Sequence, residues 1–288
     1  MLKRVVVAVM VAMLLIMPLS FEKGEAMGMQ DRTTWLWDTS KIMTDGTTIL
    51  SFLEEKTVTK VYLQINTDID MHYYNEFINE ATAKGIQVYA LDGAANWVSS
   101  DVALTQFMNW LRSYQEQATT ARFSGIHLDV EPYLHSDWSK QQAQVVDAYQ
   151  TLLTNAVSQA HTMQLSIEAD IPFWFDEITY KGQFGKGLLA DWVIQQVDSV
   201  TIMAYRDQAQ NIIDIVQHEI AFAGQVGKSV VVGVETDASA EGQQISFYED
   251  GERYMNEQLA IVQQHYAQQA GFKGIAIHHV DSWRALQP

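Results

Sequence analysis

The chain has 288 residues, 48% hydrophobic and 18% charged, with no cysteine and a formal net charge of −17. This composition excludes intrinsic disorder and supports a large core, while the lack of cysteine excludes disulfides, thiolate zinc, iron–sulfur clusters and a cysteine nucleophile. The acidic balance argues against nucleic acid or an anionic lipid surface, since both need positive charge, and eight Trp with twelve Tyr suit a neutral, ring-shaped ligand better than a phosphate.

Lys3 and Arg4 precede thirteen apolar residues, Val5 to Met17, and Pro18, Ser20 and Gly24-Glu25-Ala26 follow. Two cations, a short apolar run and small residues form the layout of a secretory signal peptide. The run is shorter than the roughly 20 residues of a membrane span. The reading is a signal peptide over 1–26 and one domain over 27–288, secreted to an extracellular or cell-wall location without stable membrane insertion after cleavage.

From there the pattern alternates between period-2 apolar runs and helical i, i+3, i+4, i+7 stripes. Strands are expected at Thr34 to Trp37, Lys60 to Ile65, Gln87 to Leu91, Gly125 to Val130, Gln164 to Ala169, Ser199 to Ala204, Ser229 to Val234 and Gly274 to Ile277. The helix before the third strand carries Tyr74, Phe77, Ile78 and Ala81. The next carries Leu104, Phe107, Met108 and Leu111. The one after the fourth strand opens with Ser139 and Gln142 in capping-box spacing. A short helix covers about Leu188 to Gln196, and two longer ones carry Ile212 to Ile220 and Met255 to Tyr266. Eight such units in about 250 residues predict a single (β/α)8 TIM barrel. The chain ends soon after the eighth strand, so the last helix is short or missing. The stretch Lys181 to Gly187 lacks phosphate-loop spacing and is expected to be a flexible loop over the mouth. No cofactor is implied.

Active sites of such barrels sit at the carboxyl ends of the strands. The fourth strand is the most telling. Alternation places His127, Asp129 and Glu131 on one face and Ile126, Leu128 and Val130 on the other. Burying carboxylates costs several kcal/mol unless they are paired or used. Two neighbouring carboxyls suit glycoside hydrolysis, in which one group donates a proton to the leaving oxygen and a second stabilises or attacks the sugar carbon. Like charge beside it raises a carboxyl's proton affinity. Glu131, nearest the mouth, is the candidate acid, and Asp129 is its partner. The other strand ends supply candidate substrate contacts: Trp37, Asn66, Asp92, His127, Asp170, Trp174 before Phe175, Arg206, His278 or His279, and Trp283. His278 and His279 point to opposite faces, so at most one enters the barrel.

The run Gly125-Ile-His-Leu-Asp-Val-Glu131 resembles the fourth-strand signature of family 18 glycoside hydrolases, the chitinase-like barrels, and Met203-Ala204-Tyr205 resembles their sixth-strand Met-x-Tyr motif. The resemblance implies that Glu131 is the general acid, that Asp129 orients a substrate acetamido group and that Tyr205 bonds to its carbonyl. Where that family carries two further acids this chain has His127 and Ser124. Arg206 stands in place of an Asp, and His278 in place of a Trp. The chain also resembles the retaining glycosidases with an acid on strand four and a nucleophile on strand seven: Glu131-Pro132 matches the first and Val230 to Glu235 the second, which implies Glu235 as nucleophile with Tyr205 holding it. The reading is a secreted hydrolase of a polysaccharide or oligosaccharide. The alternatives are a non-catalytic carbohydrate-binding barrel descended from one, or a metal-dependent barrel hydrolase drafting His127, His279, Asp129 and Glu168.

Overall fold

A computed structural model describes residues 30–288; the expected signal peptide lies outside the described residues. In chain order the strands are β1 Asp31–Leu36, β2 Lys60–Gln64, β3 Gln87–Asp92, β4 Gly125–Leu128, β5 Ser166–Pro172, β6 Thr179–Gly182, β7 Gly185–Leu188, β8 Ser199–Met203, β9 Ser229–Glu235 and β10 Phe272–His278. The helices are α1 Lys41–Thr44, α2 Gly46–Glu55, α3 Met71–Ala83, α4 Val102–Gln117, α5 Trp138–Thr162, α6 Leu189–Gln196, α7 Ala209–Val226, α8 Gly251–Tyr266 and α9 Val280–Ala285. Eight strands close a parallel barrel in the order β1-β10-β9-β8-β5-β4-β3-β2. This is the expected (β/α)8 fold, and α9 is the short last helix.

Besides shifts of one to three residues at other strand ends, as in β1, β4 and β10, three details differ from expectation. Lys181 to Gly187 belongs to the antiparallel hairpin β6–β7, whose turn is fastened to α5 by Gln183 donating to Asp147 and Thr151. It is therefore a structured hairpin bound to the helical layer. The Ser139 capping box does not form: α5 starts at Trp138 behind Asp137, without a side-chain cap. The fifth strand begins two residues later and runs to Pro172, because Gln164 has a left-handed backbone and ends the turn before it.

Alternation divides the core in two. Outward residues such as Ile126, Leu128, Ile167 and Val232 join one apolar cluster with the helices. Inward residues Trp35, Tyr62, Tyr89, Leu91, Val231 and Ala276 form a second, inside the barrel. Aromatics of this size need space on the opposite wall. Gly125 provides it, since a Cβ there would lie 2.3 Å from Tyr89 Cε1. Among the described residues no helix is long and apolar enough to cross a membrane.

Candidate active site

The inward face of β4 and its extension carries His127, Asp129 and Glu131, and the adjacent β5 carries Glu168 and Asp170 with the same parity. Register pairs His127 with Glu168. The barrel interior thus holds a column of charge. At its floor Lys60, on β2, donates to Glu168 at 2.6 Å and lies 3.3 Å from Asp31. Above it, His127 places Nδ1 3.6 Å from Glu168 and Nε2 2.9 Å from Asp170, with its ring stacked on Tyr62 at 3.6 Å. The approach to Asp170 is an ion-pair contact and not an aligned hydrogen bond. Trp35 Nε1 donates to the same Asp170 oxygen at 3.0 Å.

Burial alone would favour neutral forms, but the alternation of sign wins. Burial pulls the His127 pKa down, yet Asp170 and Glu168 carry it up to about 9. Burial pushes Glu168 up, yet Lys60 and His127 hold it at about 2.

At the mouth the balance reverses. Asp129 is pushed well above the usual carboxyl range by burial first, then by Asp170 and Glu131. Its Oδ1 and the Oδ1 of Asp170 are buried without a hydrogen-bond partner. The β3 end presses on Asp129 so closely that a side chain at Gly93, φ +157°, would meet the Asp129 carbonyl. Glu131 is raised by burial, while a 2.5 Å hydrogen bond from the Tyr133 hydroxyl pulls the other way. Tyr205, just past β8, has its hydroxyl pKa raised well above the ordinary value by burial and then by Glu235, Asp170, Asp129 and Glu131. Its hydroxyl therefore lies in the field of all four mouth carboxyls.

Glu235 sits at the end of β9 with both oxygens engaged. Oε1 accepts from the Thr236 and Asp237 backbone N–H groups, and Oε2 is 2.9 Å from His278 Nδ1. Trp37 Nε1 donates to His278 Nε2 at 2.9 Å, so the hydrogen of His278 sits on Nδ1 and points at Glu235. His278 enters the barrel mouth, while His279 caps α9 by accepting from the Asp281 N–H. Trp174 lies on the other wall, edge-on to Tyr133 at 5.0 Å. Arg206 stacks 4.9 Å over Phe173 and donates to the Tyr205 carbonyl. Trp37, Asn66 and Asp92 line an open cleft of about 920 Å³ over β1 to β3, with Gln64, Trp97 and Asn109.

Two expected substrate contacts are placed elsewhere. Trp283 is 1% exposed, packed edge-on against Phe52 and donating to Glu252 beneath the mouth. His127 is wholly enclosed in the barrel and acts on the mouth through Asp170. The metal-ligand set drafted from sequence does not converge. Among the described residues no three His, Asp or Glu side chains are grouped to hold an ion. Sequence reasoning passed over Lys60 and Tyr133. Parity with Tyr62 marks Lys60 as inward, and the turn after Glu131-Pro132 brings Tyr133 back over Glu131.

No protein-family model matches this chain, and no curated protein sequence matches it. Solved structures do share its fold. A GH18 chitinase from Pseudoalteromonas aurantia aligns with a TM-score of 0.58 at 14% identity, covering 89% of this chain and 98% of its own. The spore cortex-lytic enzyme SleL of Bacillus megaterium QM B1551 gives 0.54 at 11%, covering 89% and 73%. A plant class V chitinase mutant from Cycas revoluta, in complex with (GlcNAc)3, gives 0.53 at 13%, covering 87% and 95%. The chain thus has the TIM-barrel fold of the family 18 chitinases, and at these identities the likeness is one of fold.

Proposed function

We propose that the chain is a glycoside hydrolase of an extracellular or cell-wall polysaccharide with Glu131 as general acid. The carrying observation is the pair at the end of β4: Glu131 and Asp129 both hold protons more tightly than free carboxyls and share the mouth with Tyr205. A raised carboxyl near neutral pH is what proton donation to a leaving oxygen requires. In this scheme Glu131 gives its proton to the glycosidic oxygen as the bond to the sugar carbon breaks. Asp129 accepts a hydrogen bond from the N–H of the substrate group that attacks that carbon and so orients it.

The engagement of both Glu235 oxygens supports a supporting role for it, which fixes His278 and through it Trp37. The attacking group is then the substrate's own acetamido oxygen, positioned by Asp129 and Tyr205, with water completing hydrolysis and returning the proton to Glu131. The cleft beside the site, lined by indoles and side-chain amides, suits a sugar chain.

Glu131→Gln keeps shape but cannot donate a proton. Turnover of chitin and wall-glycan oligosaccharides, followed by mass spectrometry of products, should vanish while sugar binding persists. Full activity in this variant overturns the assignment. A wild type that binds these oligosaccharides and cleaves none across a broad panel establishes a binding barrel instead. Export is part of the proposal: mature protein should begin near Met27, and intact chain starting at Met1 in the cytoplasm refutes it.

A further inference from the structure

Arg206 has an unusual position for a cation in this chain. Acidic residues outnumber basic ones by 35 to 18, and basic side chains near the barrel ends are generally taken. Lys41 pairs with Asp281, and Lys60 with Glu168 and Asp31. Arg206 forms no ion pair among the described residues. Its contacts are the Phe173 ring and the Tyr205 carbonyl. Both fix the guanidinium without neutralising it, leaving further donors of its planar fork free.

Its location ties it to the proposed chemistry. Tyr205 precedes it. Phe173 adjoins Trp174, whose ring meets Tyr133, the donor to Glu131. In the barrel order β4 stands between β3 and β5. The strand that carries Glu131 thus stands between β3, whose end lines the amide-bearing cleft, and β5, whose following Phe173 ring carries the Arg206 guanidinium. The tight proton holding of Asp129 and Glu131 also reduces the negative charge that an incoming anion would meet.

We propose that Arg206 is a specificity residue for a carboxylate borne by the sugar on the β5–β8 side of the scissile bond, with uncharged sugars occupying the β1–β3 cleft. This corrects at one position the inference of a neutral ligand drawn from net charge, and it rests on the glycosidase reading. The carboxylate can belong to a lactyl ether, as in muramic acid, or to a uronic acid; both present the planar oxygen pair that a guanidinium fork accepts.

The test uses four probes: muramic-acid-containing wall glycan and a uronic-acid polysaccharide, each as free acid and after reduction of its carboxyls to alcohols. Binding is read by calorimetry with Glu131→Gln, and cleavage with the unmodified enzyme. One free acid should be preferred over its reduced form by about ten- to hundred-fold, and which acid identifies the carboxylate's source. Arg206→Gln in either background should bring that ratio close to one. Equal handling of acid and alcohol by the unmodified protein overturns the proposal, as does an Arg206→Gln variant that keeps the ratio, or binding of none of the four. Preserved discrimination in binding without cleavage of any probe leaves Arg206 in its role and rejects the hydrolase reading instead.

Discussion

Glu168 and Asp129 are carboxyls on adjacent strands of one barrel, and their environments drive them in opposite directions. At the floor each charge has a partner of opposite sign: Lys60 lies against Glu168 and Asp31, and His127 completes the alternation. At the mouth Asp129, Asp170, Glu131 and Glu235 crowd together; Asp129 and Asp170 each bury an oxygen without a hydrogen bond, as Glu168 does at the floor, but the charge around Asp129 is mainly of its own sign. The floor is organised as a folded protein organises buried charge. The mouth is left uncompensated, as perturbed groups at functional sites are.

Single substitutions should separate the two. Glu131→Gln should lower turnover by about 10²–10⁴-fold, the usual worth of a general acid, with the melting temperature unchanged. Lys60→Met should do the reverse. Removing one partner of a buried pair costs about 3–5 kcal/mol, which thermal unfolding should register as a loss on the order of 10 °C, while any molecules still folded keep their turnover. If Glu131→Gln destabilises as much as Lys60→Met, the mouth carboxyl is structural and the contrast fails.

The floor should also respond to pH in a definite direction. His127 has its folded pKa raised from 6.5 to about 9. A raised base contributes stability that is complete below about pH 6.5 and is lost as pH rises through about 9. The loss is on the order of 3 kcal/mol. Glu168, depressed to about 2, keeps its contribution throughout that window. Urea unfolding between pH 6 and 10 should show the decline, and His127→Gln should abolish it above about pH 8 and reduce it below, where Glu219 also titrates. An unchanged slope in the variant would show that another group titrates.

Much of this was legible from the residues. Period-2 alternation sorted β4 into its two faces, and the eight strands followed from apolar runs separated by helical stripes. Backbone period reports which face a side chain takes, but it says nothing about depth along the barrel axis. His127 and Glu131 share a face, yet one lies enclosed in the interior and the other at the rim, and this is why His127 was expected to touch substrate. Trp283 was drawn to the site by its closeness to β10 in sequence, whereas the turn into α9 carries it beneath the mouth against Phe52. The engagement of Glu235 with His278 joins residues 43 apart, a separation at which local pattern carries no information.

A third kind of carboxyl sharpens the comparison. Glu219 on α7 is fully buried with neither oxygen bonded, which makes it as uncompensated as the mouth, yet it belongs to the helical layer. Burial raises its pKa to about 8, with Asp176 and Asp191 adding to the rise and its own backbone opposing it. Neighbouring His218 is spent on Asp191. Because the folded pKa is raised, the protein is at its best with respect to this group below about pH 4.5 and loses stability as pH rises through about 8. At pH 7 folding must bring a proton onto a group that is ionised in the unfolded chain. Glu219→Gln removes that requirement and keeps the shape, so it should stabilise the protein at pH 7 by about 3 kcal/mol and by almost nothing at pH 4.5, with turnover unaltered. Paired denaturation curves at the two pH values measure this difference. A variant equally destabilised at both would mean that Glu219 makes an interaction its amide cannot replace, and uncompensated burial would then cease to distinguish the mouth from the rest of the molecule.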